Sequence, residues 1–265
     1  MENFAGYLAS GLIGVSLGLI GGGGSIITIP VLVYLFHIEP TLATAYSLFI
    51  VGTTSLVGGV RNVINKTVDV KSALLFSIPS TAAVYFTRHT VLPHIPDNIL
   101  TISSFAVTKD TAIMVFFSII MLAAAVRMIR DKKPDNHESS STRHRSVMMT
   151  GLGIIVGIIT GIVGAGGGFL IIPALVFMAG LPMKKAIGTS LIIIAVNSLI
   201  GFIGDMTLVK EINFQLMMLL SGLAVAGVFL GTYLTKFIQG NNLKSGFGWF
   251  ALTMSVYILI KEIII

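Results

Sequence analysis

Two stretches of the chain decide how it folds: "GLIGGGGSIITIPVL" at residues 18–32 and "GIVGAGGGFLIIPAL" at residues 161–175. Each places a glycine cluster, at 21–24 and at 164–168, inside a long apolar run. Because a glycine in a helix interior is less favourable than alanine by roughly 1 kcal/mol, such clusters predict an interrupted helix. The chain therefore interrupts two of its most hydrophobic segments at the same relative place.

The two stretches belong to an internal repeat. When the sequence is shifted against itself by 143 residues, 18–58 aligns with 161–201 without a gap, and 15 of these 41 positions are identical. Apolar composition alone would not place glycines, a proline and serines in one register, so we interpret the chain as two copies of one unit. The identical residues, named in the first copy, are Gly18, Gly21, Gly23, Gly24, Ile29, Pro30, Leu32, Val33, Ala43, Ser47, Leu48, Ile50, Ser55, Leu56 and Gly58.

The composition is that of an integral membrane protein. Of the 265 residues, 54% are hydrophobic and only 11% are charged, and the mean hydropathy is +0.94. Eight apolar stretches are near or above the length of ~20 residues that crosses a bilayer as a helix. They are residues 4–36, 42–60, 72–87, 111–128, 147–180, 186–204, 214–237 and 247–260. The start of the chain lacks the basic region and cleavage site of a signal peptide, so we expect 4–20 to be a retained span.

The predicted fold class is an all-α integral membrane protein with two homologous repeats of about four hydrophobic segments each, the first segment of each repeat being broken at its glycine cluster. One strongly polar tract separates the copies and carries six Lys and Arg within 127–146, which places it in the cytoplasm by the positive-inside tendency. The predicted domains are a first transmembrane repeat at 1–129, a cytoplasmic basic linker at 130–146 and a second transmembrane repeat at 147–265.

The broken segments allow two topologies. If each crosses the membrane once, 11 Lys and Arg lie on the side of the linker and 6 on the other side; if each enters, breaks and returns, the numbers are 13 and 4. The charge distribution therefore favours the returning hairpin. Three full crossings per copy would insert the second copy upside down relative to the first, which is the inverted-repeat plan of many secondary transporters.

The glycine breaks predict an anion-binding site. Broken backbone survives inside a membrane only where protein or a wet cavity surrounds it, and a helix that starts at such a break directs the positive end of its dipole toward it. The next segment of each copy adds polar side chains on one helical face. The predicted substrate-binding residues are Gly22, Gly23, Gly24, Ser25, Ser47, Thr54, Ser55, Gly166, Gly167, Gly168, Ser190, Asn197 and Ser198. Close helix packing for the glycines, and interhelical hydrogen bonding for the polar side chains, are the alternatives.

Charged side chains are expected to lie outside the membrane. All five histidines and eleven acidic residues fall in loops or at segment ends, so we expect neither an intramembrane enzyme nor a buried carboxylate for ion coupling. Without cysteine, disulfides and sulfur-ligated metals are excluded, and no metal or cofactor is predicted.

Three arginines also lie at segment ends: Arg61, Arg88 and Arg127. We expect their side chains to reach the membrane interface; a gating or substrate-attracting role for one of them is the alternative. The connection at 93–110 is expected to lie on the membrane surface or to cap the site.

The net charge of +6 is explained by membrane orientation, so no nucleic-acid partner is expected; the predicted partners are the lipid bilayer and a small anionic solute.

The duplicated motif resembles a known family. A glycine-rich break before a proline, "GGGGSIITIP" and "GAGGGFLIIP", followed by "ATAYSL" and "GTSL", is similar to the TauE/SafE sulfite exporter family of anion permeases. The resemblance implies transport across the cell membrane, without ATP hydrolysis, of a sulfur-containing anion such as sulfite, thiosulfate or an organosulfonate. In the first copy Tyr46 replaces the Thr189 of the second. A passive anion channel is the alternative function; transport direction, coupling ion and a homo-oligomeric state stay open.

Overall fold

The computed structural model describes residues 2–96, 98–102, 105–130, 142–164, 166–177, 179–206, 213–238 and 240–264. Over these residues the chain forms ten α-helices and one two-stranded antiparallel hairpin. The helices are α1 Glu2–Ile20, α2 Gly23–Tyr34, α3 Pro40–Ile64, α4 Val70–Phe86, α5 Lys109–Arg130, α6 Thr142–Val163, α7 Gly168–Phe177, α8 Met183–Met206, α9 Phe214–Leu234 and α10 Gly240–Ile264. A π-helical turn, Thr87–Val91, and a 3-10 turn, Leu92–His94, follow α4. The strands are β1 Asn98–Ile102 and β2 Phe105–Thr108.

The helices coincide with the predicted apolar segments. Among the described residues, α3, α5, α8 and α9 are long and apolar enough to cross a membrane, and further apolar helices are shorter. The predicted helical class is confirmed, and the β-hairpin within 93–110 is a small addition that the all-α prediction missed. Helices α5 and α6 extend into both ends of the predicted linker, of which residues 131–141 lie outside the described part of the chain.

Both glycine clusters interrupt a helix as predicted, and both breaks use the same backbone device. Gly21 after α1 and Gly164 after α6 have φ of 76° and 72°, the left-handed conformation that glycine adopts without strain. Each donates its N–H to the carbonyl four residues earlier, at 2.8 Å: Gly21 to Leu17 and Gly164 to Thr160. The first helix of each pair therefore ends with a left-handed glycine cap, and a second helix begins within a few residues. We refer to residues 21–22 as the first break and to residues 164, 166 and 167 as the second break.

The first broken segment turns back on itself. Phe36, just after α2, fills the space beside Gly6 at the start of α1, and its ring centroid lies 5.9 Å from that of Tyr7. Helices α1 and α2 therefore run antiparallel, as the hairpin topology requires. The structure thus favours the returning hairpin over the single crossing for residues 4–36.

The two broken segments end at opposite faces of the bundle. At one face, which we call the linker face, α5 ends and α10 begins: Ile129 lies against Gly248 there, and the guanidinium of Arg127 lies 5.2 Å from the ring centroid of Phe177 at the end of α7. The hydroxyl of Tyr34, at the end of α2, instead donates a 2.9 Å hydrogen bond to Glu262 at the end of α10. Since α10 runs away from the linker face, α2 ends at the other face, which we call the hairpin face because β1 and β2 precede the start of α5.

Helices α3 and α8 pack against each other, and the other helices surround them in pairs. Helix α1 packs on α9, α6 packs on α4, and α5 packs on α10. Glycines allow the closest of these approaches: Gly14 and Gly18 of α1 lie against the backbone of α9, and Gly157 of α6 lies against the carbonyl of Ser80 in α4. This arrangement brings the two breaks, which enter from opposite faces, together inside the bundle.

Candidate functional site

The two glycine breaks touch each other. A β-carbon on Gly168, the first residue of α7, would lie 2.6 Å from the Cα of Gly22, and Gly22 likewise has no room for a β-carbon against the carbonyl of Gly168. The hydroxyl oxygen of Ser25 lies 3.2 Å from the same β-carbon position. The amino termini of α2 and α7 therefore meet, so Gly22, Ser25 and Gly168 are brought together as predicted.

This meeting concentrates positive electrostatic potential. The first N–H groups of a helix have no acceptor within that helix, and its amino terminus carries roughly half a positive charge. The N-cap of α2 is Gly22, which offers no side chain to satisfy them. Two such ends in contact repel each other, and an anion bound beside the contact would offset the repulsion while accepting hydrogen bonds from both.

The remaining predicted glycines divide between the two proposed roles. Gly23 and Gly24 face α1, where Gly24 has no room for a β-carbon against Ile13 and Leu17. The close packing of α1 on α2 therefore explains why both positions are glycine. This is the packing role that the sequence analysis gave as the alternative to anion binding. Gly166 instead faces the predicted polar stripe, because its β-carbon position lies 2.6 Å from the hydroxyl of Ser198. Gly167 faces Thr160, a buried residue that the sequence analysis missed because the first copy has Leu17 there.

The predicted polar stripes of α3 and α8 are completely buried, and most of their hydroxyls have no hydrogen-bond partner in the described part of the chain. Those without one are Ser47, Thr54, Ser55 and Ser198. A buried polar group that lacks a partner costs about 1–3 kcal/mol, and a native protein rarely places several together. The cluster is therefore suited to a polar ligand that supplies the missing partners.

Ser190 and Asn197 make protein hydrogen bonds. Ser190 donates to the carbonyl of Ile187 at 2.9 Å and lies 2.7 Å from the β-carbon position of Gly21, so it borders the first break. The side-chain carbonyl of Asn197 accepts hydrogen bonds from Ser80 at 3.0 Å and Thr81 at 2.6 Å. The Asn197 amide nitrogen has no partner among the described residues. Asn197 therefore links α8 to α4 and still has donors to offer.

The expectation that no charge is buried between the helices is wrong. Arg88 is 1% exposed and Asp205 is 3% exposed, and Nη1 of Arg88 lies 2.6 Å from Oδ2 of Asp205. Both residues fall at the ends of apolar segments in the sequence, which is why we expected them to reach the interface. Because the two charges compensate each other, neither side chain has to extend to the membrane surface.

A cavity of about 190 Å³ opens at the linker face and leads toward the first break. It reaches Ile187, whose Cα lies 3.2 Å from the β-carbon position of Gly21. Its basic side chains are those of Lys184 and Lys236. The cavity is lined by Gly18, Asn62, Asn65, Thr67, Lys184, Ile187, Thr232, Thr235 and Lys236.

Long apolar helices, together with two helices broken inside the bundle around a buried polar cluster, define a multi-pass membrane protein of the transporter kind. Residues 7–258 match the profile of the family described as Sulfite exporter TauE/SafE, and the chain belongs to this family. The predicted resemblance is therefore confirmed over nearly the whole sequence.

Curated relatives carry the same general description. A "Probable membrane transporter protein" of Xylella fastidiosa (strain 9a5c) is 28% identical over 264 residues, which cover 95% of this chain and 92% of that protein. The "Probable membrane transporter protein YdhB" of Bacillus subtilis (strain 168) is 27% identical over 237 residues, covering 88% and 91% of the two chains. A third, MJ0441 of Methanocaldococcus jannaschii, is 35% identical over 112 residues, covering 40% and 42%. No solved structure matches the chain. The family and these names together support a membrane transporter.

Proposed function

We propose that the protein is a secondary transporter of a small sulfur-containing anion, such as sulfite, thiosulfate or an organosulfonate, and that the anion binds where the two glycine breaks meet. The observation that carries this proposal is the contact between Gly22 and Gly168, which sets the amino termini of α2 and α7 against each other. Such termini bind oxyanions through backbone N–H groups without any lysine or arginine. Membership of a family named for sulfite export supports the sulfur-containing substrate.

The buried hydroxyls of α3 and α8 fit the chemistry of such a substrate. A sulfite or sulfonate group presents three oxygens that each accept more than one hydrogen bond, and few donors at one helix end could satisfy them all. Ser55 and Ser198 are fully buried with unpartnered hydroxyls in the described structure, and Asn197 has unused amide donors. A hydroxyl rotates to donate to whichever oxygen is nearest, so the same cluster suits several related anions.

The proposal includes an inverted repeat. If each helix is replaced by its counterpart in the other copy, the packed pair α1–α9 becomes α6–α4, which is also packed. The pairs α3–α8 and α5–α10 each become themselves. The ends of α2 and α7 lie at opposite faces, as inverted copies require. In this plan the substrate site lies between the copies, and movement of one copy against the other would open it to each side in turn. The linker face is assigned to the cytoplasm of a plasma-membrane protein because Lys and Arg concentrate there.

Counterflow in proteoliposomes tests the transport proposal. We expect saturable exchange of labelled sulfite, thiosulfate or methanesulfonate by the wild-type protein. Saturable counterflow distinguishes a transporter from a passive channel, and unitary currents in planar bilayers would contradict the transporter. Failure of all three sulfur anions, with counterflow of another anion, would contradict the substrate class.

A double variant, Ser55→Ala with Asn197→Leu, tests the polar stripe. Because each hydrogen bond to a charged group contributes about 1.5–3 kcal/mol, we expect KM to rise by at least about 10-fold. Ser118→Ala is the matched control, since this buried hydroxyl lies on α5 and donates to Val115 of its own helix at 2.8 Å. Wild-type kinetics in the double variant would remove the stripe from the site.

A further inference from the structure

We propose that Arg88 is a substrate-binding residue on the hairpin-face side of the second break, where its Nε and Nη2 together bind two oxygens of the anion. This inference rests on the proposed function, because it adds a binding residue to the same transport path. It gives the path a planar guanidinium donor in addition to the helix termini. It also departs from the sequence-based expectation that Arg88 lies at the membrane interface.

The hydrogen bonding of Arg88 is one-sided. A single nitrogen, Nη1, donates both to Oδ2 of Asp205 at 2.6 Å and to the hydroxyl of Thr44 at 3.1 Å. Within the described structure, Nε and Nη2 have no hydrogen-bond partner although the side chain is 1% exposed. Arginine that serves only as an ion-pair partner typically forms two parallel bonds with its carboxylate. Here the edge made by Nε and Nη2, which matches two oxygens of one oxyanion, is left unused.

The unused edge lies at the second break. Gly164 has no room for a β-carbon because Nη2 of Arg88 and the side chain of Thr44 occupy that place. Arg88 is held there by the π-helical turn Thr87–Val91 that follows α4, an irregularity that helices often carry at functional sites. An anion held at the breaks would therefore meet the free guanidinium edge as it moves toward the hairpin face.

The corresponding place in the first copy carries no carboxylate. Shifting the sequence by 143 residues places Asn62 at the position of Asp205 and Ile187 at the position of Thr44. Asn62 is uncharged and donates to the carbonyl of Gly58 in its own helix at 2.8 Å. The first copy therefore folds at the corresponding place without a carboxylate. Because a buried ion pair contributes little net stability in comparison with apolar residues of similar volume, structural support alone does not explain Arg88 and Asp205.

The double variant Arg88→Gln with Asp205→Asn is the main test, because it removes both charges and leaves no carboxylate buried without a partner. Ligand-induced shifts of the melting temperature are measured in purified protein with sulfite, thiosulfate, methanesulfonate, sulfate, phosphate and acetate. We expect the sulfur anions to stabilise the wild type, and the shift to be lost in the double variant while its melting temperature without ligand stays close to that of the wild type. Arg88→Lys, which keeps the charge but loses the planar fork, should raise the dissociation constant by about 10- to 100-fold.

Arg61→Gln is the matched control, since Arg61 lies in the last turn of α3 at the linker face and its Nη1 donates to the carbonyl of Phe229 at 3.4 Å. It should respond to the anions as the wild type does. An equal response in the double variant and the wild type, or a wild type that responds to no anion, would overturn the role of Arg88. If only other anions stabilise the wild type and the double variant loses that response, Arg88 remains a binding residue and the sulfur substrate of the proposed function is wrong.

Discussion

Replacing Gly168 by alanine tests the contact between the two breaks directly. The added methyl carbon would lie 2.6 Å from the Cα of Gly22 and 2.7 Å from Cδ1 of Ile194. Ordinary carbon contacts are ~3.5–4.0 Å, so the two helix termini would have to separate by about 1 Å. Overpacking of this kind costs about 1–3 kcal/mol, whereas alanine improves helix propensity by at most about 1 kcal/mol. The steric effect therefore exceeds the propensity gain, because Gly22 Cα is backbone and cannot rotate away.

We expect Gly168→Ala to lower the melting temperature in detergent by up to about 8 °C, since the net cost is roughly 0–2 kcal/mol and 1 kcal/mol corresponds to ~2–4 °C for a chain of this size. A displacement of 1 Å at a binding site lowers the rate by about 100-fold, so counterflow should be nearly lost. Gly222→Ala, in α9, makes the same chemical change where nothing lies within 4 Å, and should leave both quantities unchanged or slightly raise stability. Wild-type counterflow by Gly168→Ala would refute the contact between the breaks and with it the proposed site.

Two further predictions concern the faces of the bundle. In the cysteine-free chain, Glu39→Cys and Lys185→Cys should react with a membrane-impermeant maleimide from opposite sides of the membrane, because Glu39 follows α2 and Lys185 lies in the first turn of α8. Reaction of both from one side would contradict the two hairpins. The pair Lys184→Gln with Lys236→Gln should raise KM about 10-fold at low ionic strength with little change in Vmax, because these residues line the cavity that leads to the first break. Lys71→Gln is the control, and equal KM in the two variants would mean that the cavity does not attract the anion.

Much of the fold could be predicted because the decisive features repeat. Gly21 and Gly164 occupy the same register, and both adopt the left-handed conformation that ends a helix. The polar positions Ser55 and Ser198 recur one helix later, and both are buried with unpartnered hydroxyls among the described residues. Because the same glycines and serines occur in both copies, they reflect a structural requirement and not chance. A single sequence therefore sufficed to locate the breaks and the polar stripes that meet at the centre.

The features that sequence analysis missed are those in which the two copies differ. Asp205 corresponds to Asn62, and Thr160 corresponds to Leu17, so neither was marked by repetition. Arg88 also looked like an interfacial residue, because only the tertiary packing of α4, α6 and α8 shows that its charge is enclosed and paired. At the linker face a cavity opens toward the first break, whereas near the hairpin face a buried guanidinium lies against the second. In the proposed site, the glycine clusters and polar stripes that both copies carry form the common centre, and residues that differ between the copies make its two sides chemically unlike.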